Sequence, residues 1–241
     1  MDALYIAAAG MIGQNQNLAL VAGNLSNSQS PGYLAESGTF EAFPSGTVVE
    51  NGRNPKVLGQ SSSGVAFTSA IDMAGSGVES TGNPNNVAIL GNGFFVVRTA
   101  NGIAYTRDGQ FSVDALGRLV TARGDLVLGK NGQPIHVKTG QGFTVSPTGV
   151  ITQGTTTVGA LALTNLSPVG LKALGNDLYT SPTRLPFTGQ VLQSAVNSSN
   201  VNVADEMVQM IDAQSRYQSL TEMVNEESKR LSTAATLGVL A

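Results

Sequence analysis

Apolar and polar positions follow different rules at the ends of the chain and in its middle. Near the C-terminus Val203, Met207, Met210, Gln214, Tyr217, Thr221, Val224, Ser228 and Leu231 alternate steps of four and three. That is a heptad seam, mostly apolar but interrupted by Gln214, Thr221 and Ser228. No Gly or Pro breaks the stretch from Ser199 to Leu231. Asn202 is placed to cap the helix, with Asp205 and Glu206 in its first turn and Lys229 and Arg230 expected in its last. At about 1.5 Å per residue the helix spans roughly 40 Å and needs a partner for its stripe. Leu4, Ala8, Met11, Asn15, Leu18, Ala22 and Leu25 repeat the alternation near the N-terminus. This second helix ends at Ser30-Pro31-Gly32-Tyr33, because the residue before proline avoids the helical region and Gly32 turns the chain. The two helices are expected to pair as a coiled coil.

Between Tyr33 and Val87 the sequence is rich in Gly, Ser, Thr and Asn. Phe40, Phe43, Val48, Val49, Val57, Leu58, Val65 and Phe67 are scattered apolar anchors without a helical period. Extended segments and loops are expected there. From Val87 onward short apolar runs cover residues 87–90, 93–98, 103–107, 110–113, 118–121, 126–128, 135–137, 143–145 and 150–152. They are punctuated by Asn101-Gly102, Asp108-Gly109, Leu116-Gly117, Arg123-Gly124 and Asn131-Gly132. Asn-Gly and Asp-Gly supply the positive φ of tight hairpin turns, so an antiparallel sheet or small barrel is predicted. The fold class is therefore α+β, with long terminal helices around a mainly antiparallel, β-rich centre.

Composition narrows the chemistry. In 241 residues the chain has 13 Lys and Arg, 16 Asp and Glu, one His and no Cys or Trp. A formal net charge of −3 with only 12% charged residues argues against nucleic acid, which demands a basic face. Without Cys there are no disulfides, thiolate metal sites or Cys nucleophiles. His136 alone cannot make a typical zinc site, and no nucleophile elbow accompanies it. Gly91-Asn92-Gly93 lacks the third glycine of a dinucleotide loop and leads into a strand, so it reads as a turn or bulge. Asp108, Asp114 and Asp125 sit in predicted turns, where Asp caps its own backbone. No catalytic, cofactor or metal site is expected, and the chain is not expected to be an enzyme. No stretch reaches the ~20 apolar residues of a membrane span, and the N-terminus lacks the basic region and cleavage box of a secretory signal.

The N-terminal helix has Asp2 as its only charge, and Glu36 is the next acidic or basic residue. Gln14, Gln16, Asn17, Asn24 and Asn27 give it an uncharged polar outer face, which expects protein on more than one side. Asn24-Leu25-Ser26-Asn27 with Ser30-Pro31-Gly32-Tyr33, preceded by Ala9-Gly10-Met11, resembles the N-terminal signature of the flagellar basal-body rod and hook proteins, the axial family. Ser199-Asn200-Val201-Asn202-Val203, followed by Glu206-Met207-Val208 and Met210-Ile211, is similar to its C-terminal signature. The segments 91–97, 105–109 and 117–121 resemble its central domain, and Gly175-Asn176-Asp177-Leu178-Tyr179 a turn that precedes the return to the axis. The chain departs from the pattern at Leu34, where a basic residue often stands, and at Ser215, where arginine is usual.

The resemblance implies a structural subunit of the bacterial flagellar basal-body rod, which polymerises into an axial tube that transmits torque and conducts exported subunits. Residues 1–32 and 199–241 would form a discontinuous helical axial domain, 33–86 an extended or β connecting region, and 87–198 a β-rich outer domain with its return segment. The expected assembly interface comprises Leu4, Met11, Leu18, Leu25, Asn24, Asn27, Asn200, Val203, Met207, Met210, Tyr217, Val224 and Leu231. Implied partners are further copies, other rod and hook axial proteins, and the flagellar type III export apparatus. Nucleic acid and direct membrane insertion are not expected. The implied location is the exported, periplasmic rod of the basal body. Two alternatives stay open from the sequence: a short hook-type axial protein, and a secreted β-domain enzyme or binding module with helical ends.

Overall fold

The computed structural model describes the backbone of residues 2–49 and 57–239, and side chains within 6–41, 66–233 and at residue 236. The side chains of Leu4, Phe43, Val48, Val49, Val57, Leu58 and Val65 lie outside the described residues. The chain forms two compact units. The first contains residues 1–25, 36–70 and 202–241; the second contains 26–35 and 71–201.

The first unit holds helix α1 (Asp2–Ser26). A long antiparallel hairpin follows, of β1 (Glu36–Val49) and β2 (Val57–Ile71), whose last residue passes into the second unit. The hairpin occupies much of the stretch where extended segments and loops were expected. Its Gly-, Ser- and Thr-rich sequence shows no regular apolar alternation that would mark the pairing of the two strands. Phe40 and Phe67 pair edge-to-face across it, 5.2 Å between ring centres. Gly13 of α1 lies against Phe40, and Gly38 against Phe67, so missing side chains make room for the rings.

The second unit carries sixteen short strands. They are β3 (Val78–Ser80), β4 (Val87–Leu90), β5 (Phe94–Thr99), β6 (Gly102–Thr106), β7 (Phe111–Val113), β8 (Leu119–Thr121), β9 (Leu126–Val127) and β10 (Thr144–Val145). Then come β11 (Val150–Gln153), β12 (Thr156–Ala160), β13 (Leu163–Leu166), β14 (Lys172–Gly175), β15 (Leu178–Thr180), β16 (Arg184–Leu185), β17 (Gln190–Gln193) and β18 (Ala195–Asn197). The main sheet runs β14-β15-β6-β5-β9-β8-β7, with β13 also pairing β5 and β16. β10-β11-β12 form a small sheet, and β17-β4 and β18-β3 pair separately. Every pairing among the described strands is antiparallel. Two buried clusters face the sheets. Phe95, Val97, Phe111, Leu119, Val127 and Ile151 belong to the larger; Phe94, Tyr105, Leu128, Leu166, Tyr179 and Leu34 belong to the other. Leu34, where the resemblance leads one to expect a basic residue, is a core side chain, and its amide donates to the Tyr179 hydroxyl at 2.8 Å.

Gly102, Gly117, Gly124 and Gly132 take positive φ as the turn dipeptides predicted. Asp108-Gly109 does something else. β6 pairs with β5 and β15, while β7 pairs with β8, so the dipeptide links non-neighbours and is not a hairpin turn. Gly109 is glycine because a Cβ there would strike the Val87 carbonyl. In place of a regular strand over residues 135–137, His136 makes an isolated bridge with Arg118, and the preceding Pro134 one with Leu128. His136 is exposed between buried Ile135 and Val137. Helix α2 (Val203–Val239) returns the chain to the first unit. No described helix is long and apolar enough to cross a membrane.

Candidate assembly interface

Helix α2 begins as its sequence predicts. The Asn202 side-chain oxygen accepts the Ala204 amide at 3.1 Å, its Nδ2 donates to Asp205 at 2.7 Å, and its carbonyl accepts the Glu206 amide at 3.0 Å. Its end lies further on than expected. The helix continues to Val239, so Lys229 and Arg230 are internal and pair with Glu226 (2.9 Å) and Glu227 (3.1 Å) on the same helix. Such exposed pairs contribute little to stability.

The buried line of α2 comprises Glu206 and Ala213, with Met210, Tyr217, Leu220, Thr221, Val224 and Glu227 half-buried. On α1 Ala7, Gly13, Gln14, Val21 and Asn24 are buried, and Met11, Leu18 and Leu25 half-buried. Met210, Tyr217 and Val224 therefore face inward. Val203, Met207 and Leu231 stand 42%, 53% and 45% exposed. Each buried line keeps only some positions of the heptad and shifts by one residue at the others, and the reason is size. A Cβ on Gly10 would lie 3.4 Å from Leu220, so small residues set the approach of the helices. Gly10 meets Leu220 and Asn24 meets Glu206, the same number of residues apart along each helix, so the two run antiparallel. Sequence reasoning weighted large side chains and missed this line; the run Ala7, Gly10, Gly13 was its available signal.

Asn24 and Glu206 form a polar node in that seam. Asn24 is fully buried. Its Nδ2 donates to the Glu36 carbonyl (2.7 Å) and to Glu206 Oε1 (2.9 Å), while its Oδ1 accepts the Glu36 amide (3.0 Å). Gln14, assigned to the outer face from the sequence, is 7% exposed. Burial pushes the Glu206 carboxyl above its ordinary range; the Asn24 bond pulls it down, and Asp205 pushes it up again.

Asn27 and Asn200 lie in the second unit. Asn27 Oδ1 accepts the Ser30 hydroxyl at 3.2 Å, stabilising the turn into Pro31. Asn200 Oδ1 accepts the Ala35 amide (2.6 Å), and its Nδ2 donates to the carbonyls of Asp72 (3.0 Å) and Ala74 (3.3 Å). Gly32 donates its amide to the Asn197 carbonyl at 2.8 Å. The segments that carried the two terminal signatures are thus stitched together.

The remaining polar groups of note lie in the second unit. Asp108 accepts the Gln110 amide at 2.9 Å, and burial raises its pKa to about 6. Asp177, also raised by burial, lies 3.7 Å from Arg123 in the left-handed turn between β14 and β15. Arg107 is 1% exposed and donates to the Gly91 carbonyl at 2.9 Å above the Phe94 ring. Among the described residues no group of three His, Asp or Glu converges as for a metal ion. A cleft of about 460 Å³ beside His136 is lined by Gly129, Lys130, Asn131, Gln133 and Ala160, without a carboxylate.

What distinguishes α2 is its outward side. Val203, Met207, Val208 and Ile211 are 42 to 67% exposed within its first turns, and Val203, Met207 and Ile211 recur every fourth residue on one face. On α1 Ile12 is 63% exposed, amid Asn15 and Gln16, which are also exposed.

The chain is similar to known flagellar proteins. Residues 88–153 match the family described as flagellar hook protein FlgE/F/G D1 domain, and 192–237 match the flagellar basal body rod FlgEFG protein C-terminal family. The chain is 32% identical to the flagellar basal-body rod protein FlgG of Buchnera aphidicola subsp. Baizongia pistaciae, over 98% of this chain and 100% of that protein. It is 29% identical to FlgG of Bacillus subtilis, over 98% and 99% of the two chains. It is 31% identical to the rod protein FlgF of Caulobacter vibrioides, over 95% and 94%. The matches run through both helices and the β-rich body, and on them the chain belongs to the flagellar basal-body rod protein family.

Proposed function

We propose that this chain enters the flagellar basal-body rod as a structural subunit, and that its terminal helices are the surfaces by which it polymerises. The observation that carries the reading is the exposed apolar face of α2, Val203, Met207, Val208 and Ile211, beside a first helix with no charge after Asp2. Uncharged faces pack laterally without stranding a charge, whereas a buried unpaired charge is costly. A head-to-tail surface that does not close on itself generates a helical filament. In this reading α1 and α2 pair as a coiled coil in an axial domain formed by residues 1–32 and 199–241. Residues 33–86 connect it to an outer β-domain of 87–198. Met11, Leu18, Leu25, Met210, Tyr217 and Val224 support the helix pair, and Val203, Met207 and Leu231 meet neighbouring subunits. Leu4 is assigned to the interface by its spacing in the sequence alone, and Asn24, Asn27 and Asn200 tie together the chain segments around them. Partners are further copies and other axial proteins, reached through the flagellar type III export apparatus. The role is structural, not enzymatic.

The test is deletion of the gene, with motility scored and the arrested basal body imaged. The expected result is a non-motile cell whose basal bodies stop at an incomplete rod, rescued by the intact gene. Motile cells with complete rods would overturn the reading.

A further inference from the structure

The Asn24 node joins residues 182 positions apart in the chain, yet its satisfaction is uneven. Asn24 uses its side chain three times, while Glu206 uses only one oxygen. Glu206 is 8% exposed, and its Oε2 finds no hydrogen-bond partner among the described residues. An ionised carboxylate with one bare, buried oxygen costs far more than the neutral acid, in which that oxygen carries the proton. Protonation leaves Oε1 free to accept from Asn24, so the hydrogen bond survives when the charge disappears.

We propose that Asn24, Glu36 and Glu206 form a latch that fastens the first turn of α2 to α1 and to the start of β1, and that the latch tightens on acidification. The charged groups around it support this direction. On α2 Asp205 repels a charge on Glu206. On β1 the nearest charged residue is Glu36, also an acid, bound here through its backbone. Helix α1 offers no basic residue to neutralise Glu206. The one opposing influence is the N-terminal end of α2, whose dipole favours negative charge in the first turn. Exposed Asp205, bonded to Asn202, occupies that role at lower desolvation cost. A group whose folded pKa is raised binds its proton more tightly in the folded than in the unfolded chain. Its contribution is fully present below the ordinary Glu range and is lost as pH rises through the folded value. The latch belongs to the isolated chain and does not depend on assembly, so its test and that of the rod reading fail separately.

The test is a carbon-13 NMR titration of the Glu206 carboxyl in the purified full chain. It is joined to hydrogen exchange at the Glu36 amide, corrected for the intrinsic pH dependence of exchange. Glu206 is expected to titrate above the ordinary range, and Glu36 protection to be greater at pH 5 than at pH 7.5. A one-unit elevation corresponds to about tenfold in protection. Glu206→Gln, a permanently neutral isostere, should remove that pH dependence, and Asn24→Ala should lower protection at both pH values. An ordinary Glu206 titration would overturn the proposal, as would an unchanged pH dependence in Glu206→Gln. If either variant fails to fold, the wild-type titration decides alone.

Discussion

At the scale of single residues, two positions separate conformational cost from steric cost. Gly32 has φ +76° and Gly82 φ +67°, so both disfavour a side chain. A methyl on Gly82 meets open space, whereas one on Gly32 would run into the backbone of Arg107 and Asp108. Gly82→Ala is expected to cost about 1 kcal/mol and Gly32→Ala more than about 3 kcal/mol in urea unfolding. Equal losses would contradict the close packing of the Pro31-Gly32 turn on the body. Asp108 supplies a pH prediction. Its folded pKa, about 6, exceeds that of an unfolded aspartate, so the folded state is favoured at low pH. That contribution declines as pH rises from about 4 to 6 and stays lost above. Asp108→Asn keeps the acceptor for Gln110 and should raise stability at pH 7.5 by about 1 to 2 kcal/mol. It should also flatten the thermal-melting profile between pH 4 and 6, and a variant with the wild-type slope would refute the cause assigned to Asp108.

At the scale of elements, legibility followed the range of the interactions. The α2 cap at Asn202, the positive-φ glycines and most strands from Val87 to Gln153 depend on neighbours in sequence and were readable there. The pairing of β17 with β4 and of β18 with β3 joins residues about a hundred apart, and nothing local encodes it. Extended structure was legible around β1 and β2, but their pairing was not, because their Gly, Ser and Thr content gives no apolar alternation. Of the candidate interface, the helices, their polarity and the inward side of Met11, Leu18, Leu25, Met210, Tyr217 and Val224 were legible, but not the small and polar residues that share that side. Gly10 and Ala213 draw the helices together along a line that large apolar residues do not mark. This has a consequence for α2 beyond Val224, where every described side chain except Glu227 is exposed. Ending the chain before Val224 should leave the β-body folded, seen as unchanged hydrogen-exchange protection of β5 and β6, while abolishing motility. Restored motility in the truncated strain would count against a role for that segment in assembly.

At the scale of the whole molecule, folding and assembly draw on different residues. The β-rich body has two buried clusters of its own and a dense set of local hairpins. The helical unit leaves an apolar face in water, a cost that assembly with neighbouring subunits would recover. Met207 is the residue that separates these roles most cleanly. It is 53% exposed, so a carboxylate there meets solvent in the isolated chain but would be desolvated without a partner in a packed rod. The decisive measurement is the amount of Met207→Asp protein in purified basal bodies, taken beside the melting curve of the same purified chain. Wild-type melting with near-absence from the basal bodies is the predicted result. Incorporation at wild-type levels would contradict assembly through the exposed face of α2.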